Sequence, residues 1–130
     1  MTEQEFILKA TKLVQQIVDA IAEKEYEKMA SFAQMENSSW TGSEKTQEEC
    51  FLAFGEWLDD FLAMWEGDEE GKYALDHFNE ACMEDIKLQN NWSFVTYKPT
   101  YLGDELDFWF EIRFEIEKNE QIIATFDVNI

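Results

Sequence analysis

The stretch Leu106-Asp107-Phe108-Trp109-Phe110-Glu111-Ile112-Arg113-Phe114-Glu115-Ile116-Glu117 decides the fold of this chain. Leu106, Phe108, Phe110, Ile112, Phe114 and Ile116 occupy every second position, and Asp107, Trp109, Glu111, Arg113, Glu115 and Glu117 fill the gaps. Successive side chains of a strand point to opposite faces, so this is a strand buried on one face and wet on the other. After a turn at Lys118-Asn119-Glu120, Ile122, Ala124, Phe126, Val128 and Ile130 alternate again. The two runs predict an antiparallel hairpin whose inner face meets the rest of the chain. A slip of one residue would send every inward Phe and Ile into water, which makes the register well specified. The alternation runs to Ile130, so the C-terminal residues are expected to be tied into the sheet and costly to remove.

Working back from the hairpin, Trp92-Ser93-Phe94-Val95-Thr96-Tyr97-Lys98 has the aromatic and β-branched content of a further strand. Everything before it reads as helical cover. Thr2 with Glu5 forms a capping box, and Phe6, Ala10, Leu13, Val14, Ile17, Val18 and Ile21 follow at three- and four-residue spacing, predicting a helix from Glu3 to Glu23. A short helix is expected over Glu25 to Ala33. The turn formers Asn37-Ser38-Ser39-Trp40-Thr41-Gly42-Ser43 predict a loop or very short strand. Thr46 with Glu49 opens the most apolar helix, carrying Phe51, Phe54, Trp57, Leu58, Phe61, Leu62, Met64 and Trp65, and Gly67 stops it. Leu75, Phe78, Cys82 and Ile86 predict a fourth helix from Leu75 to Lys87, ended by Asn90-Asn91. The fold class expected is α+β: about four helices in the first two-thirds, packed on a C-terminal antiparallel sheet of three or four strands, in one acidic domain spanning residues 1–130.

Composition supports a packed core. Of 130 residues, 45% are apolar, with eleven Phe, five Trp and four Tyr, enough to drive collapse despite the charge. One Pro and five Gly leave no linker or low-complexity tract. The N-terminal residues lack the basic segment and apolar run of a signal peptide, and no window reaches the roughly 18 apolar residues of a membrane span. A cytoplasmic protein with no membrane partner is expected. Cys50 and Cys82, each inside an expected helix, read as buried thiols rather than a disulfide.

The charge narrows the function classes further. There are 29 acidic against ten basic residues, a net charge of −19. Such a surface repels nucleic acid and anionic membranes and attracts cations. No catalytic set is legible: His77 is the one histidine, and no nucleophile turn accompanies it. His77, Glu80 and Glu84 would share a face of the expected fourth helix, but the order is His-x-x-Glu and occurs once, unlike the paired Glu-x-x-His of di-iron bundles. The turn Gly67-Asp68-Glu69-Glu70-Gly71 is too short for a calcium loop. No phosphate-cradling glycine loop occurs. No metal or other cofactor is expected.

The acidic residues are concentrated. From Glu44 to Asp85 there are fourteen carboxylates against Lys45 and Lys72. They either solvate two helices or are kept for a cationic partner. A second row, Asp107, Glu111 and Glu115, flanks Trp109 on the outer face of the long strand, at a spacing of about 6.6 Å that is close to that of nucleic-acid phosphates. Trp109 is either covered, for instance by the loop bearing Trp40, or an interface anchor.

The first helix, followed by Ala22-Glu23-Lys24-Glu25-Tyr26-Glu27-Lys28-Met29-Ala30 leading into a short second helix, with a terminal antiparallel sheet, resembles the NTF2-like (cystatin-like) superfamily. That resemblance implies an enzyme, a ligand pocket or a dimeric interaction domain. The long helix from Glu48 to Glu66 departs from the superfamily plan. In size and charge the chain also resembles small acidic bacterial immunity proteins, which neutralise basic toxin enzymes. The leading expectation is an acidic domain, immunity-type or inhibitory, that binds a basic protein through Glu56, Asp59, Asp60, Glu66, Asp68, Glu69, Glu70, Asp107, Trp109 and Glu111, with Trp109, Trp40 or Tyr101 as anchor. The alternatives are an NTF2-like small-molecule or enzymatic domain with a pocket between helices and sheet, and a DNA mimic. Self-association stays open.

Overall fold

In the computed structural model, residues 1–36, 40–42 and 45–130 are described. Asn37, Ser38, Ser39 and Ser43 of the expected loop, and Glu44 of the acidic stretch, lie outside them. The chain is α+β. Helix α1 spans Glu3–Ala22, a 3-10 helix spans Tyr26–Ser31, and helix α2 spans Gln47–Trp65. The strands are β1 (Lys87–Gln89), β2 (Trp92–Tyr97), β3 (Thr100–Tyr101), β4 (Asp104–Glu105), β5 (Trp109–Ile116) and β6 (Ile122–Asn129). Four of them form one antiparallel sheet in the order β1-β2-β5-β6, and β3 pairs with β4 alone.

Both long helices begin where local chemistry places them. Thr2 Oγ1 accepts the Glu5 amide at 3.1 Å. Thr46 and Glu49 form a reciprocal capping box, which satisfies amides that have no partner in the first turn of α2. The helices cover the inner face of the sheet. Phe110, Ile112, Phe114 and Phe126 are fully buried against Phe6, Ile17 and Ile21 of α1 and Phe51, Phe54 and Leu58 of α2. Phe54 touches Phe126 at 5.2 Å and Phe110 at 6.0 Å between ring centroids, and Phe6 meets Phe114 edge-on at 6.1 Å. The register sets Phe110 opposite Val128, Ile112 opposite Phe126 and Phe114 opposite Ala124.

The expected fourth helix is not there. Among the described residues three helices precede the strap of residues 72–86, which is extended with one 3-10 turn at Glu80–Cys82. Groups outside the expected helix take several of the strap's amides. Asp68 accepts from the amides of Lys72 (2.8 Å) and Tyr73 (3.1 Å), Asp19 from Phe78 (2.9 Å), the Thr100 carbonyl from Asp76 (2.9 Å), and the Tyr97 hydroxyl from Asn79 (3.0 Å). With these donors satisfied outside a helix, helical periodicity at four apolar positions does not decide the local structure. Lys87 opens β1 instead of closing a helix, and Asn90, with φ 59°, turns the chain into β2. Cys82 is consequently half-buried rather than core, whereas Cys50 is buried, and both are free thiols.

Smaller differences follow the same logic. The second helix is a single 3-10 segment. β5 begins at Trp109, although Phe108 before it is already buried. Strand β6 ends at Asn129, paired with Trp109, and Ile130 lies exposed beyond it. Among the described residues no helix is long and apolar enough to cross a membrane.

Candidate functional site

Helix α2 packs its Phe51, Phe54, Leu58 and Leu62 side on the sheet and turns the opposite side to water. That solvent face carries Glu49, Leu52, Glu56, Asp60 and Met64, spaced so that they lie on adjoining turns. Exposure continues to the C-terminal end of α2. Met64 and Trp65, at its last turn, are 75% and 69% exposed, and Trp65 ends an aromatic ladder in which Trp57 touches Phe61 at 5.6 Å and Phe61 touches Trp65 at 6.4 Å. Phe108 fastens the ladder to the sheet, at 5.3 Å from Trp57 and 5.0 Å from Phe61.

The expected carboxylates divide into three groups. Glu56, Asp60, Glu66, Glu69 and Glu70 are exposed, and among the described residues none is in an ion pair. From Thr46 to Gly71 the sequence has no Lys or Arg. Asp59 and Asp68 are occupied by the fold. Asp59 accepts from the Tyr26 hydroxyl at 2.9 Å and lies 3.8 Å from Lys24 Nζ. Asp68 is only 7% exposed and holds the start of the strap. Burial pushes the Tyr26 hydroxyl upward, reinforced by Asp59, and loss of solvent raises Tyr101 with Asp68 beside it.

Asp107, Trp109 and Glu111 belong to a different surface. Asp107 is exposed at the bend before β5. Trp109 and Glu111 point to the outer face of the sheet, away from α2. There Trp109 is half-buried and donates from Nε1 to Glu111 Oε1 at 3.3 Å, and the same oxygen accepts from Asn129 at 2.7 Å. Arg113 reaches Glu36 at 3.1 Å and Glu115 at 3.2 Å, so the outer row alternates charge rather than presenting an unbroken line of carboxylates. Trp92 and Phe94 stand open on this face, and a hollow of about 530 Å³ opens on it between Glu84, Lys98 and Trp109.

Two expected anchors are otherwise engaged. The Trp40 ring seats on Phe54 and Trp57, each at 5.5 Å. Tyr101 is buried against Tyr73. Trp65 has the exposure those two lack, and its place in the sequence, two residues before the stop at Gly67, was the signal for it.

The His77 side chain is exposed with Nε2 3.8 Å from Glu23, and because the strap is not helical, Glu80 and Glu84 do not share a helix face with it. Among the described residues no group of three His, Cys, Asp or Glu is placed to hold a metal ion.

No family model matches the sequence, and no curated protein and no solved structure matches the chain, so the likeness to NTF2-like domains and to immunity proteins has no relative behind it.

Proposed function

We propose that this chain is an acidic interaction domain of immunity or inhibitor type, which binds a basic protein through the solvent face of α2 and the turn that follows. One observation supports this above others. Met64, 75% exposed, shares the solvent face with Glu56 and Asp60, and Trp65, 69% exposed at the end of the Trp57–Phe61 row, immediately precedes Glu66 and the turn bearing Glu69 and Glu70; these five acids are exposed and without ion pairs among the described residues. Exposed apolar side chains beside charged ones have the composition of a docking surface, and an exposed Trp is a typical anchor. The carboxylates would steer a cationic partner and speed its arrival. They also repel one another, a cost to the folded chain that a basic partner relieves. On the outer face of the sheet, by contrast, Asn129 engages Glu111 and Arg113 engages Glu115, so of the expected acids there Asp107 is the one this reading leaves available to a partner.

The test compares two baits in lysate at low and then high salt: the wild-type chain and a Glu56→Lys/Asp60→Lys variant. Asp59 is spared because its reversal would also disturb Tyr26. A basic protein held by the wild type, released by salt and lost from the variant is expected. A protein held equally by both baits would place the contact elsewhere, and no captured protein at low salt would count against the reading.

A further inference from the structure

We infer that the element recognised by α2 is a basic amphipathic helix lying along it, an inference that rests on the interaction reading above. Leu52, Glu56, Asp60 and Met64 are successive i, i+4 positions and form one ridge on the solvent face. Leu52 is 44% and Met64 75% exposed, so the ridge is apolar at both ends and acidic in the middle. At a rise of 1.5 Å per residue it is about 18 Å long, a little over three helical turns. Ala53 and Ala63 flank the ridge with the smallest side chains available and leave low points where a partner's side chains seat, as ridge-into-groove packing requires.

The backbone of α2 rules out another mode. Between its end turns the amides and carbonyls of α2 bond one another within the helix, so it offers no edge for an added strand, and recognition falls to side chains at helical spacing. The matching surface carries Lys or Arg opposite Glu56 and Asp60, with aliphatic groups about one turn beyond them on either side. A second copy of this chain does not fit. A two-fold contact would set Glu56 and Asp60 against their own copies, and like charges across an interface are penalised.

The experiment titrates the full chain at low salt with two labelled synthetic peptides of equal composition. One is a Leu/Lys sequence patterned at the helical period, and the other is its scrambled form. The patterned peptide is expected to bind at least about tenfold more tightly and to gain helicity in circular dichroism. Leu52→Glu with Met64→Glu should remove that advantage, and Glu56→Lys with Asp60→Lys should abolish binding of both peptides, with far-ultraviolet spectra of the variants unchanged. Equal binding of the two peptides, lost in the lysine variant, would overturn the helix and leave the basic-partner reading standing. Binding that survives the lysine variant, or no binding at all, would remove both. Sedimentation as a dimer that Leu52→Glu/Met64→Glu dissociates would make a second copy the occupant and overturn the inference.

Discussion

The ring of Tyr26 lies directly on Gly55, so closely that a Cβ at Gly55 would stand 2.1 Å from Tyr26 Cδ2. The same ring meets Phe54 edge-on at 6.1 Å, and its hydroxyl donates to Asp59 one turn on. One stretch of α2 therefore grips a side chain from the 3-10 helix on three sides. The contact fixes the segment after α1 against the helix that carries the proposed binding surface. Gly55→Ala would raise helix propensity by about 1 kcal/mol in an open helix. Here overpacking should dominate and destabilise the chain by about 1–3 kcal/mol. Urea denaturation would show it, and an unchanged or higher midpoint would mean that Tyr26 moves aside freely.

The strap gives a contrast among carboxylates that are neighbours in sequence. Asp76 accepts from Thr100 Oγ1 at 2.7 Å and from the Gly103 amide at 2.9 Å, while Asp68 holds the amides of Lys72 and Tyr73. Asp68→Ala or Asp76→Ala should each cost about 1–3 kcal/mol, because partly buried donors lose their acceptor. Glu69→Ala and Glu70→Ala should stay within about 0.5 kcal/mol. Hydrogen exchange reads the same difference locally, with faster exchange at Lys72 and Tyr73 expected in Asp68→Ala only.

Alkali should loosen the fold before it degrades the chain. Burial pushes the Tyr97 hydroxyl up to about 12, against the opposing bond from the Asn79 amide, and Tyr26 is also raised. The folded state thus holds these protons more tightly than the unfolded state, whose tyrosines ionise near 10. Their contribution to stability is complete below about pH 10 and is lost as pH climbs through about 12. Denaturation midpoints should be similar at about pH 8 and about pH 9 and lower at about pH 11. Tyr97→Phe, already weaker at neutral pH for want of the Asn79 bond, should show a smaller alkaline drop.

Salt should stabilise this protein. With a net charge of −19 and with Glu56 and Asp60 of α2 in no ion pair among the described residues, self-repulsion opposes the compact state. Raising ionic strength from about 0.01 M to about 1 M shortens the screening length from about 30 Å to about 3 Å. The expected result is a higher Tm in potassium chloride. A flat or falling Tm would show that local pairing already balances the charge.

Some of this architecture is written in short-range pattern. The strict alternation from Leu106 to Ile116 and from Ile122 to Val128 names a hairpin with one buried face, since the energy of each position depends on which side of one strand it occupies. The caps at Thr2 and Thr46 bond residues three apart, so their sequence spacing is enough to place the starts of α1 and α2. Tertiary structure decided what depends on groups brought from afar. The strap from Lys72 to Ile86 has helical apolar spacing, yet the carboxylate of Asp19, 59 residues away, takes the Phe78 amide. Neither that bond nor the burial of Asp68 is encoded in a local window. The same holds for the surface: a count of carboxylates cannot separate Asp59, held by Tyr26, from Asp60, which faces water one residue on. Composition and periodicity determined a one-faced sheet under acidic helices. Which acids serve the fold and which stand free beside Met64 and Trp65 was decided by packing, because a carboxylate's role is set by the donors folding delivers to it.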